Sequence, residues 1–167
     1  MTPRSVPTAP DDADVAAVVD AIRRMLHALR SSARQAESQV GVTGAQLFVL
    51  QTLADSPAAS LNELAGRTLT HQSTVSVVVD RLVRRGLVLK RRAADDARRV
   101  ELRLSSRGRA VVRRSPQVAQ GRLIDGLRTL PRGDAGELAR LMRRLLRTMG
   151  VAHEPAPMLF EDSARRD

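Results

Sequence analysis

The sequence predicts a mainly α fold with one small β-hairpin, an α+β arrangement in which a central unit is flanked by long terminal helices. Three observations predict it. Apolar residues recur at helical spacing through most of the chain. The period changes to two only between Leu87 and Leu104, where Arg99-Val-Glu-Leu-Arg-Leu104 alternates cleanly. The charge is focused on the same stretch. Of 28 Lys and Arg and 18 Asp and Glu, twelve cations and three carboxylates lie between Arg84 and Arg114, leaving sixteen and fifteen elsewhere.

Residues 1–13, rich in Pro, Thr and Asp, read as a flexible tail. Val15, Val18, Val19, Ile22, Met25, Leu26 and Leu29 then mark one face of a helix that Asp12 or Asp14 caps and that ends near Gln39. Thr43-Gly-Ala-Gln46 is a capping box, with a hydroxyl and an amide placed to satisfy orphan helix N–H groups. It opens a helix bearing Leu47, Val49, Leu50 and Leu53 that stops before Asp55-Ser-Pro57. Ser60-Leu-Asn-Glu63 is a second capping box and opens a short helix to Arg67.

Thr70 is expected to cap the next helix, His71 to Arg85. The β-branched run from Thr74 to Val79 suits a strand, but Val75, Val78, Val79, Leu82 and Val83 share one helical face and alternation fails at Val77-Val78-Val79. Gly86 ends that helix. Leu87–Arg92 and Arg99–Leu104 form the hairpin around the polar turn Ala93–Arg98. Ser105 or Ser106 starts another helix, which Pro116 kinks or breaks near Ser115. Asp134-Ala-Gly-Glu137 reads as a third capping box, before a helix with Leu138, Leu141, Met142, Leu145, Leu146 and Met149 on one broad face. Residues 151–167, with Pro155 and Pro157, read as a C-terminal tail in which Met158-Leu-Phe160 is expected to be a mobile end, with docking on a partner chain as the alternative.

Composition excludes several classes of function. The sequence has no cysteine, so disulfides, thiol sensing and cysteine metal sites are ruled out. His27, His71 and His153 have no ligand-like spacing, so no metal is expected. No nucleophile–base pairing or phosphate-cradling glycine loop is visible, so neither an enzyme nor a cofactor is expected. No apolar run approaches the roughly 18–20 residues that span a bilayer, and the N-terminus lacks an apolar signal core, so a cytoplasmic location and no membrane partner are expected.

Two short helices joined by Thr68-Leu69-Thr70 and followed by a basic hairpin describe a winged helix-turn-helix. Its core is placed at 43–104 within a folded unit of residues 14–150. The focused charge points to double-stranded DNA. On the second helix Gln72, Ser73, Thr74, Ser76 and Val77 offer an amide, hydroxyls and a methyl suited to base edges. The N-terminus of that helix favours phosphate, and Ser60, Thr70 and, in the hairpin, Arg91, Arg98 and Arg99 complete the expected DNA-binding set. A guanidinium at the hairpin tip suits a narrow minor groove. Asp96 costs DNA affinity there unless it holds the turn or orients an arginine. The flanking helices, 14–39 and 106–149, carry more apolar surface than one small domain covers and are read as dimerisation helices. A two-fold homodimer sets two recognition helices roughly 34 Å apart on a pseudo-palindromic operator. A non-specific architectural DNA-binding protein and a winged-helix protein–protein module or enzyme subunit are the alternatives.

The chain resembles the MarR family of bacterial regulators (multiple antibiotic resistance regulators) over about residues 15–149. THQSTVSVVVDRLVRRGLV (70–88) and DDARRVELRLSSRG (95–108) carry the resemblance. The second is similar to the family's wing signature: Asp96-Ala-Arg98, alternating strand residues, then Leu104-Ser-Ser-Arg-Gly108 with serine for the usual threonine. The resemblance implies a homodimeric transcription regulator, a repressor released by a small aromatic or anionic effector. It implies that Arg98 enters the minor groove, that Asp96 structures the wing, that Gln72, Ser73, Thr74 and Ser76 enter the major groove, and that Arg81 meets phosphate or pairs locally. With Phe48 and Phe160 as the only aromatics, an effector pocket is expected to be aliphatic with arginines, near Arg23, His27, Arg30 and Leu47–Leu50.

Overall fold

A computed structural model describes residues 11–92, 100–154 and 158–159. The elements run α1 (Asp12–Val40), α2 (Gly44–Asp55), α3 (Leu61–Thr68), α4 (Gln72–Arg84), β1 (Val88–Arg92), β2 (Val100–Leu104), α5 (Ser106–Arg114), α6 (Ala119–Thr129) and α7 (Arg132–Thr148). The expected fold class is therefore observed. β1 and β2 pair antiparallel, with Val88 opposite Leu104 and Arg92 opposite Val100. Ala58, between α2 and α3, adds a one-residue bridge to Leu102, its N–H and carbonyl bonded at 3.0 and 2.8 Å.

The core sits where α2, α3, α4 and the hairpin meet. Leu47, Leu50, Leu64, Val75, Val78, Val79, Leu82 and Leu102 are fully buried there. The valine-rich face of α4 thus goes inward, the helical choice over the strand. Caps set the helix starts. Thr43 and Gln46 form the reciprocal box expected of them. Ser60 Oγ accepts from Glu63 N–H at 3.0 Å, but the Glu63 carboxylate reaches one residue further back, to Ala59 N–H at 2.8 Å.

Arg67 closes the other end of α2. Its guanidinium donates to the carbonyls of Thr52, Ser56 and Pro57, groups that a helix end leaves without partners. At the proline break, α5 stops at Ser115. Gln51 bridges the gap, donating to Pro116 O at 2.7 Å and accepting from Val118 N–H at 3.2 Å. Ser32 of α1 accepts from Ala119 N–H at 2.9 Å and docks the start of α6.

Several local expectations are corrected. Asp11, not Asp12 or Asp14, caps α1. His71, not Thr70, is the N-cap of α4, with no side-chain cap bond. The third capping box does not form, because α7 begins earlier, at Arg132 behind Pro131, which puts Asp134 inside the first turn and leaves Glu137 to pair with Arg140 at 2.5 Å. That hydrogen bond and its Coulomb attraction hold the Arg140 pKa above its ordinary value. Met158, expected in a mobile end, is 3% exposed and joins the core cluster.

The base of the hairpin is tightly specified. Gly86, in the left-handed region at φ 68, turns the chain out of α4. Ser105 Oγ donates to Gly86 O at 2.7 Å and accepts from Gly108 N–H at 2.9 Å, while Ser105 N–H donates to Leu87 O at 3.0 Å. A Cβ on Gly108 would lie 2.1 Å from Leu87 O. That atom is backbone, so relief requires moving the strand. Gly108→Ala is expected to lower stability by about 1–3 kcal/mol, read as a fall in the thermal unfolding midpoint. Ser105→Ala should cost about 1 kcal/mol or more, whereas Ser105→Thr should stay close to the parent. Equal loss in both Ser105 variants would show that the hydroxyl bonds do not matter.

Candidate nucleic-acid interface

The helix-turn-helix is α3, the turn Leu69–His71 and α4. Leu69 takes the left-handed conformation at φ 51 and is 66% exposed. The turn is closed by Thr70 N–H donating to Ala65 O at 3.0 Å and by the Thr68 hydroxyl donating to Leu64 O at 2.9 Å. With Val75, Val78, Val79 and Leu82 buried, α4 must present its other face outward. Gln72, Ser73 and Val77 are exposed there, and Thr74 and Ser76 are half-buried. Gln72, Ser73, Ser76 and Val77 share the outward face, and Thr74 lies at its edge.

Ser60 is half-buried as the cap of α3. It lines a shallow groove of about 370 Å³ with Asn62, Glu63, Gln72 and Val100. That groove brings together the start of α3, the start of α4 and the hairpin. Thr70 and Arg81 are half-buried, and Arg91 is exposed on β1 opposite Glu101. Asp96, Arg98 and Arg99 lie outside the described residues.

The cations of the basic stretch divide into two groups. Arg84, Arg91, Arg107, Arg113 and Arg114 are exposed and enter no hydrogen bond or ion pair with other described residues. Four others are tied to the protein itself. Lys90 pairs with Asp80 at 3.6 Å, and Arg109 donates to Leu104 O at 2.9 Å. Arg103 pairs with Glu101 at 2.6 Å, and that hydrogen bond, with the carboxylate's charge, raises its pKa. Arg85 donates to Gln46 and to Gly41 O. The Lys90–Asp80 pair was not foreseen. Asp80 is on the outward strip of α4, where an unpaired carboxylate would repel DNA, and an acid eight residues after Gln72 was the available signal.

The expected effector residues do not converge. Arg23, His27 and Arg30 are exposed along α1, while Leu47 and Leu50 are fully buried and line none of the cavities described. Two larger spaces lie elsewhere among the described residues. A cleft of about 500 Å³ between α2 and α6 is lined by Phe48, Gln51, Arg67, Ile124, Asp125 and Arg128, among others. A groove of about 530 Å³ runs from Ala65, Leu69 and His71 to Leu123, Leu127 and Met158. Among the described residues no group of three His, Cys, Asp or Glu could hold a metal, and no helix is long and apolar enough to cross a membrane.

The MarR family model matches residues 42–100, the span of α2 to the start of β2. Over 125 residues the chain is 29% identical to the "Putative transcriptional regulatory protein for hcr operon" of Thauera aromatica, covering 75% of each chain. The solved structure of a MarR family protein from Bacillus stearothermophilus is similar at a TM-score of 0.52 and 24% identity, over 85% of this chain and 99% of that one. The transcriptional regulator BldR from Sulfolobus solfataricus is similar at 0.54 and 19% identity, over 84% and 99%. Both share the fold. Residues 42–100 are thus similar to the MarR family, and the likeness of fold extends beyond them on both sides.

Proposed function

We propose that the protein is a homodimeric, sequence-specific repressor that a small molecule releases from DNA. The observation that carries the proposal is the pair of surfaces left without partners. The outward strip of α4 is polar and lies beside exposed arginines. α7 buries no residue, although Leu138, Leu141, Met142, Leu145, Leu146 and Met149 lie along it. Val15, Val18, Val19, Met25 and Leu26 leave the N-terminal half of α1 equally apolar and exposed. Apolar surface of that extent, gathered on the terminal helices, suits a second copy of the chain.

In this reading α4 enters the major groove. Gln72, Ser73, Thr74, Ser76 and Val77 read base edges, and Ser60, Thr70, Arg81, Arg91 and Arg99 hold the backbone. Because His71 makes no side-chain cap bond, the first N–H groups of α4 are available to phosphate. Arg98, oriented by Asp96, takes the minor groove. Two such units, related by the dimer axis, cover one pseudo-palindrome and obstruct transcription from it. The effector is assigned to the cleft between α2 and α6, where Phe48 offers an aromatic ring and Arg128, paired with Asp125 at 3.6 Å, a cation that an anion could draw away. An aromatic or anionic molecule there would push α6 away from α2 and change the spacing of the two reading heads.

Selection of bound duplexes from a random pool, followed by competition between the selected and a scrambled duplex, tests the reading. Preference for the selected duplex is expected, and equal competition by both would favour an architectural binder. Arg98→Ala is expected to weaken binding to the selected duplex by about 1–3 kcal/mol with the dimer intact. Unchanged affinity would remove the wing from the mechanism. Leu141→Glu combined with Leu145→Glu should yield a monomer by light scattering. A variant that stays dimeric would place the interface elsewhere.

A further inference from the structure

We infer that Arg85 is a positioning residue for DNA reading and not a phosphate contact, although it lies in the most basic part of the chain. It is the C-cap of α4. Its Nη1 donates to Gln46 Oε1 at 2.8 Å and its Nη2 to Gly41 O at 2.7 Å. Gly41 caps α1 in the left-handed conformation, its N–H donating to Glu37 O at 3.0 Å. Gln46 is buried, and the same Oε1 accepts from Thr43 N–H at 3.3 Å in the box that starts α2. One guanidinium therefore gathers the end of α1, the start of α2 and the end of α4.

Both terminal nitrogens, the ones that would grip a phosphate side by side, are already committed. Both acceptors are neutral oxygens fixed by backbone caps, so the planar fork is held in one orientation. The neighbouring Arg84 is exposed and bonds to no other described residue, so it is the member of the pair suited to phosphate. The clamp lies between the helix proposed to meet the second copy, α1, and the helix proposed to read bases, α4. It fixes the tilt of one relative to the other. This inference rests on the function proposed above.

The test measures affinity for the selected and scrambled duplexes across a salt series, with thermal unfolding in parallel, for the parent, Arg85→Lys, Arg85→Ala, Gln46→Ala and the double alanine variant. Arg85→Ala and Gln46→Ala are each expected to lose about tenfold in affinity for the selected duplex. Arg85→Lys should fail to rescue, and the double variant should be no worse than either single one. A phosphate contact would behave differently. Arg85→Lys would then bind like the parent, and Arg85→Ala would weaken both duplexes and lower the salt slope by about one. That result overturns the inference, as does a fall in unfolding midpoint with affinity for the selected duplex unchanged. If Gln46→Ala does not fold, the two Arg85 variants still decide between a clamp and a phosphate contact. A parent that does not discriminate between duplexes overturns the proposed function and the clamp with it. A discriminating parent with unaffected Arg85 variants overturns the clamp alone.

Discussion

α4 and the hairpin share one anchorage, the backbone of Gly86 and Leu87, and the rest of the molecule is arranged around it. Gly86 ends the turn out of α4, and Leu87 leads into β1. Their carbonyls are taken by the hydroxyl and the N–H of Ser105, and Gly108 presses flat against Leu87 because it has no side chain. One short junction thus fixes the start of the hairpin, its return strand and α5. Movement of the hairpin relative to α4 would have to break neutral hydrogen bonds at a buried site, each of which leaves a polar group without water. The Leu-Ser-x-x-Gly pattern therefore has a physical basis: a hydroxyl that bonds in two directions, followed at three residues by the one side chain small enough to admit a carbonyl.

The fold was legible where the signal was local and repeated. The valine face of α4, the alternation at Val100, Leu102 and Leu104, and the break at Pro116 each follow from a period or a backbone restriction that tertiary packing did not override. The misses have a common cause, since several residues in a row could perform the same task. Asp11, Asp12 and Asp14 can all accept a bond from a helix N-terminus, and spacing alone does not say which of them does; Asp11 takes the cap. Thr70 had the better capping side chain, but its N–H is used to close the turn on Ala65, so His71 takes the cap position without a cap bond. Pro131 opens α7 because its fixed φ suits a helix start.

The site was legible in part. Exposure of Gln72, Ser73 and Val77 follows from burial of the opposite face, so helical spacing was enough to find them. The division of the cations was not legible, because charge counts along a sequence do not say which guanidinium has a carbonyl within reach. Arg85, Arg103 and Arg109 look like Arg84 and Arg107 until the chain is folded. Leu47 and Leu50 were misplaced for a related reason: an apolar helix position near a suspected cavity faces either the cavity or the core, and α2 is buried on most sides.

Met158 changes how the protein can be handled and how its gene can tolerate damage. Its side chain is packed into the core cluster and lines a groove beside the turn Leu69–His71. A label or tag inserted beside Met158 is therefore set against a core side chain and close to the turn Leu69–His71. Labels meant to leave the helix-turn-helix undisturbed belong elsewhere on the surface. A frameshift or stop codon just ahead of Met158 removes a piece of the interior, so a segment that looks dispensable by its place beyond the last helix is subject to the same selection as the middle of a helix.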